Sequence, residues 1–118
     1  MGMEVKNFTS PDETRPFEGK GKADVVMMAG RPVGKAVFEP GWRWSTNVRP
    51  IAGTDLCEVS HLGYCVSGRM RIMMAGGEAH EVGPGDVYAI PRGHDAEVLG
   101  SEPCVMLDFG DIEKYAAR

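Results

Sequence analysis

Short runs of apolar residues follow one another along most of the chain, and glycine or proline ends nearly every run. Residues 25–29 end at Gly30, and residues 33–38 end at Pro40 and Gly41. Further runs cover residues 42–48, 56–66, 70–74, 79–82, 87–90, 96–99 and 104–109. About nine runs at a spacing of roughly 8–12 residues are typical of an all-β sandwich or barrel. The pattern therefore predicts a β-barrel and no long helix.

The two ends of the chain depart from this pattern. Residues 1–24 are mostly polar and show no apolar period, so we expect an N-terminal arm along the barrel or along a partner subunit. The barrel itself is predicted over residues 25–118. Within it, residues 111–117 predict a short C-terminal helix, because Asp111 suits an N-cap and the apolar positions after it share one face.

Charge, run length and cysteine content limit the partners, the cofactors and the cellular location that we expect. The formal net charge is −4, and no cluster of Lys and Arg offers the basic surface that nucleic acid needs. The apolar runs are far too short to span a membrane, and no signal peptide is evident. No glycine-rich loop precedes a helix, so no nucleotide cofactor is predicted. Three cysteines without close pairing suit a reducing compartment, and we expect a cytoplasmic location.

Two motifs carry a family resemblance. Residues 85–93 read GDVYAIPRG, and His61 is followed by six residues and then Gly68. Over residues 33–109 the chain resembles the cupin superfamily, whose second motif is a glycine, five residues and Pro-x-Gly, and whose first motif ends in a glutamate, six residues and glycine. The resemblance implies a double-stranded β-helix, or jelly-roll barrel, that is often a homodimer. It also implies a divalent metal held by three histidines and a glutamate.

The metal-ligand positions of the family are altered in this sequence. Aligned by spacing, the paired histidines fall on Asp55 and Cys57, the glutamate on His61, and the late histidine on Ala96. His94 lies two residues before Ala96 and would share its face in an extended chain. The resemblance therefore implies the fold, whereas the metal does not transfer automatically.

Cys57, His61 and His94 are the candidate metal ligands. Cys57 and His61 would lie on one face of an extended strand. A thiolate and two imidazoles suit Zn, Fe, Ni or Cu, with Asp55 as a further carboxylate. The alternatives are that Cys57 is a small buried apolar residue and that the histidines only bind backbone or water. A nucleophilic pair would need the Cys57 sulfur within hydrogen-bond reach of the His61 ring, which a spacing of four does not guarantee.

Trp44, Tyr64 and Tyr88 are the candidate substrate-binding residues. Trp42 and Trp44 alternate with Arg43, so in a strand both indoles would form one aromatic wall. Tyr64 and Tyr88 would offer hydroxyl groups at the pocket. Ordinary core packing is the alternative for each of these aromatic residues.

Two functions stay open on these observations. The first is a metal-dependent enzyme of the oxygenase, isomerase or lyase type, acting on a small organic molecule in the barrel. The second is a non-catalytic module that binds a small ligand or a partner and has lost the usual metal site. No residue is assigned a catalytic role from the sequence.

Overall fold

Strands make up most of the chain, and the computed structural model describes residues 2–118. The strands are β1 (Glu13–Pro16), β2 (Gly21–Met28), β3 (Arg31–Phe38), β4 (His61–Ser67), β5 (Arg69–Met74), β6 (Ala79–Val82), β7 (Val87–Ile90), β8 (His94–Leu99) and β9 (Cys104–Asp108). They form two antiparallel sheets, in the orders β1-β2-β3-β9-β4-β7 and β6-β5-β8. The predicted all-β class is confirmed.

One hydrophobic core lies between the two sheets. Side chains alternate between buried and more exposed positions along β3 and β8, as expected for strands with one face inward. Phe38 from the larger sheet and Ile72 and Val98 from the smaller one belong to the same buried cluster. The inner faces of both sheets therefore meet, and this interior contains the candidate site.

Residues 42–48 do not form the predicted strand. Two single-turn helices, α1 (Trp44–Asn47) and α2 (Arg49–Ala52), replace it. The Asn47 side chain accepts a hydrogen bond from the Arg43 amide at 3.0 Å and so stabilises the first turn. Pro50 favours the start of α2, and Gly53 ends it with a left-handed φ of 75°. Within residues 2–118, neither helix is long and apolar enough to cross a membrane.

The segment predicted as an N-terminal arm contributes to the larger sheet. The predicted boundary at residue 24 falls inside β2, and β1 pairs with β2 from Glu13↔Val25 to Pro16↔Lys22. Phe17 is buried and stacks on Phe38 with a centroid distance of 5.3 Å. The sequence pattern did not predict this strand, because β1 is an edge strand with mostly exposed side chains and therefore shows no apolar alternation. Met1, the first residue of the predicted arm, lies outside the described residues.

Residues 111–118, here called the C-terminal segment, form turns instead of the predicted helix. The Tyr115 amide donates to the Ile112 carbonyl at 3.1 Å, and Ala116 has a φ of 53°, which ends any helical path. The buried guanidinium of Arg15 donates to the carbonyls of Ile112, Glu113 and Tyr115 at 2.6–3.0 Å. These contacts hold the segment over one end of the interior.

Candidate metal centre and cavity

The structure brings Cys57, His61 and His94 together. Each offers one potential ligand atom, and these atoms lie within 4.8 Å of one another. The Cys57 sulfur is 3.7 Å from Nε2 of His61. The centroids of the two imidazole rings are 5.3 Å apart. The three residues selected from spacing and resemblance therefore form one cluster, whereas metal binding by them stays a prediction.

Backbone pairing fixes two of these residues relative to each other. Cys57 precedes β4 and forms an isolated antiparallel bridge with His94, the first residue of β8. The Cys57 amide donates to the His94 carbonyl at 2.8 Å, and the Gly93 amide donates to the Cys57 carbonyl at 2.6 Å. Gly93 has a φ of 91°, which glycine adopts without strain. His61 reaches the same point from the start of β4.

The Nδ1 atom of each histidine has a partner outside the cluster. Nδ1 of His61 contacts the Asp108 carboxylate. Nδ1 of His94 lies 2.8 Å from the Pro91 carbonyl, and because a carbonyl only accepts, this nitrogen must carry the proton. Carboxylate and carbonyl partners of this kind orient metal-binding histidines and fix their tautomers. In neutral His94, Nε2 therefore keeps its lone pair for a ligand.

The electrostatics of the cluster favour a thiolate beside an imidazolium when no cation is bound. Burial raises the pKa of Cys57, but the hydrogen bond with His61 and the neighbouring His94 imidazole outweigh it and lower the pKa to about 6. Burial lowers the pKa of His61, but the Asp108 and Cys57 partners outweigh it and raise the pKa to about 9. Cys57, His61 and Asp108 thus form a chain of the kind that activates a nucleophile.

A cavity of about 50 Å³ lies inside the barrel. One water needs about 10–15 Å³, so there is room for a group of roughly three to five non-hydrogen atoms. His61, His94, Trp44 and Tyr88 line it among mainly apolar side chains. The Tyr88 hydroxyl donates to the Leu107 carbonyl at 3.2 Å, and burial raises the pKa of this tyrosine.

An open groove lies on the other side of the cluster. Its volume is about 870 Å³, and Cys57, Arg92 and Lys114 are among its lining residues. Trp44 and Tyr115 line both this groove and the inner cavity. The cluster therefore stands between the groove, which Cys57 faces, and the cavity, which the two imidazoles face.

Two sequence-based candidates lie away from the site. Tyr64 is 40% exposed on the outer face of β4, because alternation turns His61, Gly63 and Cys65 inward. The expectation of a Tyr64 hydroxyl at the pocket is therefore wrong. The Asp55 side chain is also exposed, where it pairs with Arg49 at 2.9 Å. Trp44 and Tyr88 do lie on the cavity wall, and their role with a substrate stays a prediction.

Sequence reasoning missed three residues of the site. Asp108 binds His61, Tyr115 packs edge-on against His61 with a centroid distance of 5.1 Å, and Arg15 lines the cavity. Alternation along β9 was an available signal for Asp108, because it lies two positions after Met106, which an apolar run places on the inner face. Neither Arg15 nor Tyr115 had a comparable signal, because each lies in a segment whose structure was predicted wrongly.

The comparisons with known proteins agree with this architecture. The family model described as "Cupin domain" matches residues 57–110, which include the three clustered residues and Asp108. This match and the two-sheet architecture confirm the predicted resemblance to the cupin superfamily. No curated protein sequence matches it.

Solved structures with the same fold are distant in sequence. An uncharacterized conserved protein with a double-stranded β-helix domain from Klebsiella pneumoniae has a TM-score of 0.62 at 16% identity, covering 97% of this chain and 94% of its own. The polyketide cyclase RemF from Streptomyces resistomycificus has a TM-score of 0.64 at 19% identity, covering 91% and 78%. Ectoine synthase from P. lautus has a TM-score of 0.62 at 18% identity, covering 92% and 78%. These likenesses confirm the predicted jelly-roll fold.

Proposed function

We propose that Cys57, His61 and His94 hold a divalent cation and that the chain binds or converts a small organic molecule beside it. The main support is that the three potential ligand atoms lie within 4.8 Å of one another. A thiolate with two imidazoles is a soft to borderline donor set, which suits Zn²⁺ first and Fe, Ni or Cu next. The donor set therefore fits a cation of this class.

The surrounding residues support a site that accepts substrate. Three protein ligands leave a position open, and a cation held there would supply Lewis-acid chemistry. Asp108 and the Pro91 carbonyl orient the two imidazoles, and the apolar cavity wall excludes bulk water. The names of the polyketide cyclase and of ectoine synthase support conversion of a small molecule, as opposed to binding alone. A ligand-binding module without chemistry is the alternative within this fold.

Metal content tests the proposal directly. The protein is purified without an affinity metal column, and its bound elements are measured by mass spectrometry, with Cys57→Ser, His61→Ala and His80→Ala in parallel. We expect nearly one equivalent of metal in the wild type and in His80→Ala, whose imidazole is exposed and outside the cluster, and a loss in the other two. Zn²⁺ at 100 times its dissociation constant should stabilise the wild type by about 2.7 kcal/mol. Absence of metal and of any stabilisation would contradict the proposal.

A second candidate function is supported by the Cys57–His61–Asp108 chain. With Sγ and Nε2 3.7 Å apart, the thiol can act as a nucleophile in the metal-free protein. Alkylation by iodoacetamide at pH 7 distinguishes the two functions. If Cys57 is a nucleophile, it reacts faster than Cys65 and Cys104, which are buried as Cys57 is, and His61→Ala slows it. Protection by stoichiometric Zn²⁺ would favour the metal centre as the resting state.

The cytoplasmic location and the homodimer stay part of this proposal. Leu62, Tyr64 and Val66 are exposed on the outer face of β4, next to exposed Val87 on β7. Adjacent exposed apolar side chains mark interaction surfaces, which supports association of two copies. A light-scattering mass equal to one chain would contradict the dimer.

A further inference from the structure

We propose that the cavity binds a small carbonyl or carboxylate compound whose oxygen accepts hydrogen bonds from the indole N–H groups of Trp42 and Trp44. This names the ligand class of the proposed function. The inference rests on the proposed function, because it takes the cavity to be the place where the small molecule binds. The indole hydrogen bonds themselves do not require a bound cation.

The two indoles are the starting observation. Both tryptophan side chains are 2% exposed, and both line the cavity. Within residues 2–118, their Nε1 atoms are the only buried side-chain nitrogens or oxygens without a hydrogen-bond partner. The indole nitrogen only donates, and a buried donor without an acceptor costs free energy. Both donors belong to residues that line the cavity, so a ligand that brings an acceptor into it would satisfy them.

The other polar groups on the cavity wall already have partners. Arg15 donates to three carbonyls of the C-terminal segment, and the Tyr88 hydroxyl donates to the Leu107 carbonyl. Asp108 accepts from the Gly110 amide at 2.9 Å and contacts His61 through its other oxygen. Apart from Nε2 of His94, which the proposed cation would occupy, the unused hydrogen-bonding capacity on the wall is therefore mainly that of the indole donors. The indole N–H groups therefore favour a ligand that carries a hydrogen-bond acceptor, and they form no bond with a ligand that offers only donors.

Cavity size and lining limit the rest of the ligand. About 50 Å³ accommodates roughly three to five non-hydrogen atoms. Ala36, Phe38, Ile72 and Met106 contribute apolar wall. A compact apolar body with one carbonyl or carboxylate group fits this combination.

Aromatic faces do not account for both N–H groups. Trp42 packs against Phe38 with a centroid distance of 4.4 Å and an interplanar angle of 58°. An N–H contact with an aromatic face is weak, and Trp44 takes part in no aromatic ring pair within the described residues. At least the Trp44 donor therefore calls for an acceptor from outside the chain.

Nuclear magnetic resonance of the indole groups tests the proposal. The chain has two tryptophans, so ¹⁵N-labelled protein gives two indole cross-peaks. Acetate and acetamide are titrated into zinc-free and zinc-loaded protein, with xenon as a control that fills apolar cavities and accepts no hydrogen bond. We expect both carbonyl probes or one of them to move both indole proton signals downfield with saturation, and xenon not to do so. Peaks that move for neither carbonyl probe, or for one indole alone, would overturn the shared site.

Conservative variants provide the second readout. Trp42→Phe and Trp44→Phe keep an aromatic ring and remove the donor, and Tyr64→Phe is the control on the outer face. Each tryptophan variant should weaken probe binding by about tenfold, whereas Tyr64→Phe should leave it unchanged. Equal affinity in all three would overturn the proposal. If Trp42→Phe does not fold, Trp44→Phe decides.

The two proposals fail separately. Indole shifts in zinc-free protein that binds no zinc would contradict the metal centre and leave the indole site supported. Stoichiometric zinc with unmoved indole signals would contradict the indole site alone.

Discussion

Gly63 shows how tightly β4 packs beside the site. A Cβ atom at this position would lie 2.1 Å from the Leu107 carbonyl oxygen and 2.4 Å from the Tyr88 hydroxyl oxygen. Because the first of these atoms is backbone, the β4–β9 pair would have to shift to admit it. The same substitution would displace Tyr88 from its place on the cavity wall.

We therefore expect Gly63→Ala to lower the free energy of unfolding by about 1–3 kcal/mol. Gly76→Ala is the matched control, because a Cβ there meets nothing within 4 Å, and we expect its stability to be unchanged or slightly higher. Urea denaturation of both variants measures the difference. Equal stability of the two variants would contradict this account of β4.

Cys104 predicts a loss of stability at alkaline pH. Its side chain is fully buried, and burial raises the pKa of the thiol from an ordinary 9.0 to about 12. As pH rises, the unfolded chain loses this proton first, so the contribution is complete below about pH 9 and is lost towards pH 12. Between pH 9 and 11, the free energy of unfolding of Cys104→Ala should fall less steeply than that of the wild type. Parallel curves would show that this thiol contributes no pH dependence.

At the scale of elements, the C-terminal segment depends on one buried cation. Arg15 lies on β1, at the opposite end of the sequence, and donates hydrogen bonds to three carbonyls of this segment. Ile112 and Tyr115, which these bonds hold in place, line the inner cavity. The segment therefore closes the site as long as Arg15 keeps it bound.

Arg15→Met should lower the free energy of unfolding by about 2–3 kcal/mol, because hydrogen bonds to a buried charge are lost. Arg69→Met removes only a half-exposed pair with Glu81 and should cost less than about 1 kcal/mol. Thermal unfolding and amide hydrogen exchange over residues 112–117 measure the two effects. Unchanged exchange in Arg15→Met would contradict the role of Arg15 in holding the segment.

Local sequence was sufficient to predict most of the strands and insufficient to predict a few features of the fold. Alternation and glycine spacing located the strands from β3 to β9 because most of them bury one face. Residues 42–48 were misassigned because the features that make them helical are contacts to side chains, such as the bond from the Ser45 amide to Asp95 at 3.1 Å. The facing of Tyr64 was misjudged although Tyr64 lies three positions after His61, which alternation places on the opposite face. A long-range partner decided the first of these cases, whereas the second could have been read from the sequence.

At the scale of the whole molecule, the first 24 residues complete the larger sheet. Phe17 and Ala23 are part of the common core, and β2 pairs with β3 along its whole length. The three clustered residues could be found from spacing together with the family resemblance, because two lie four positions apart and the third follows a family motif. Asp108 approaches His61 through the pairing of β9 with β4, and Arg15 lies on β1 at the edge of the same sheet, and spacing reveals neither placement.

Truncation tests this view of the N-terminal region. Removal of residues 2–8 should leave a cooperative thermal transition, because these residues are mostly exposed and lie outside the strands. Removal of residues 2–24 deletes β1 and half of β2 and should abolish that transition. Circular dichroism on heating measures both. A fully folded product of the longer deletion would support a separable arm.

The backbone bridge between Cys57 and His94 restrains these two residues of the cluster but not His61. The backbones of these two residues are joined by hydrogen bonds, so their Cα atoms are restrained together, whereas His61 is held by its own strand and by Asp108. For a cation held as proposed, a larger or smaller ion would have to be accommodated mainly by movement of one imidazole. Ion selectivity would then be set by how firmly a single carboxylate restrains that ring, and Asp108→Asn would broaden it.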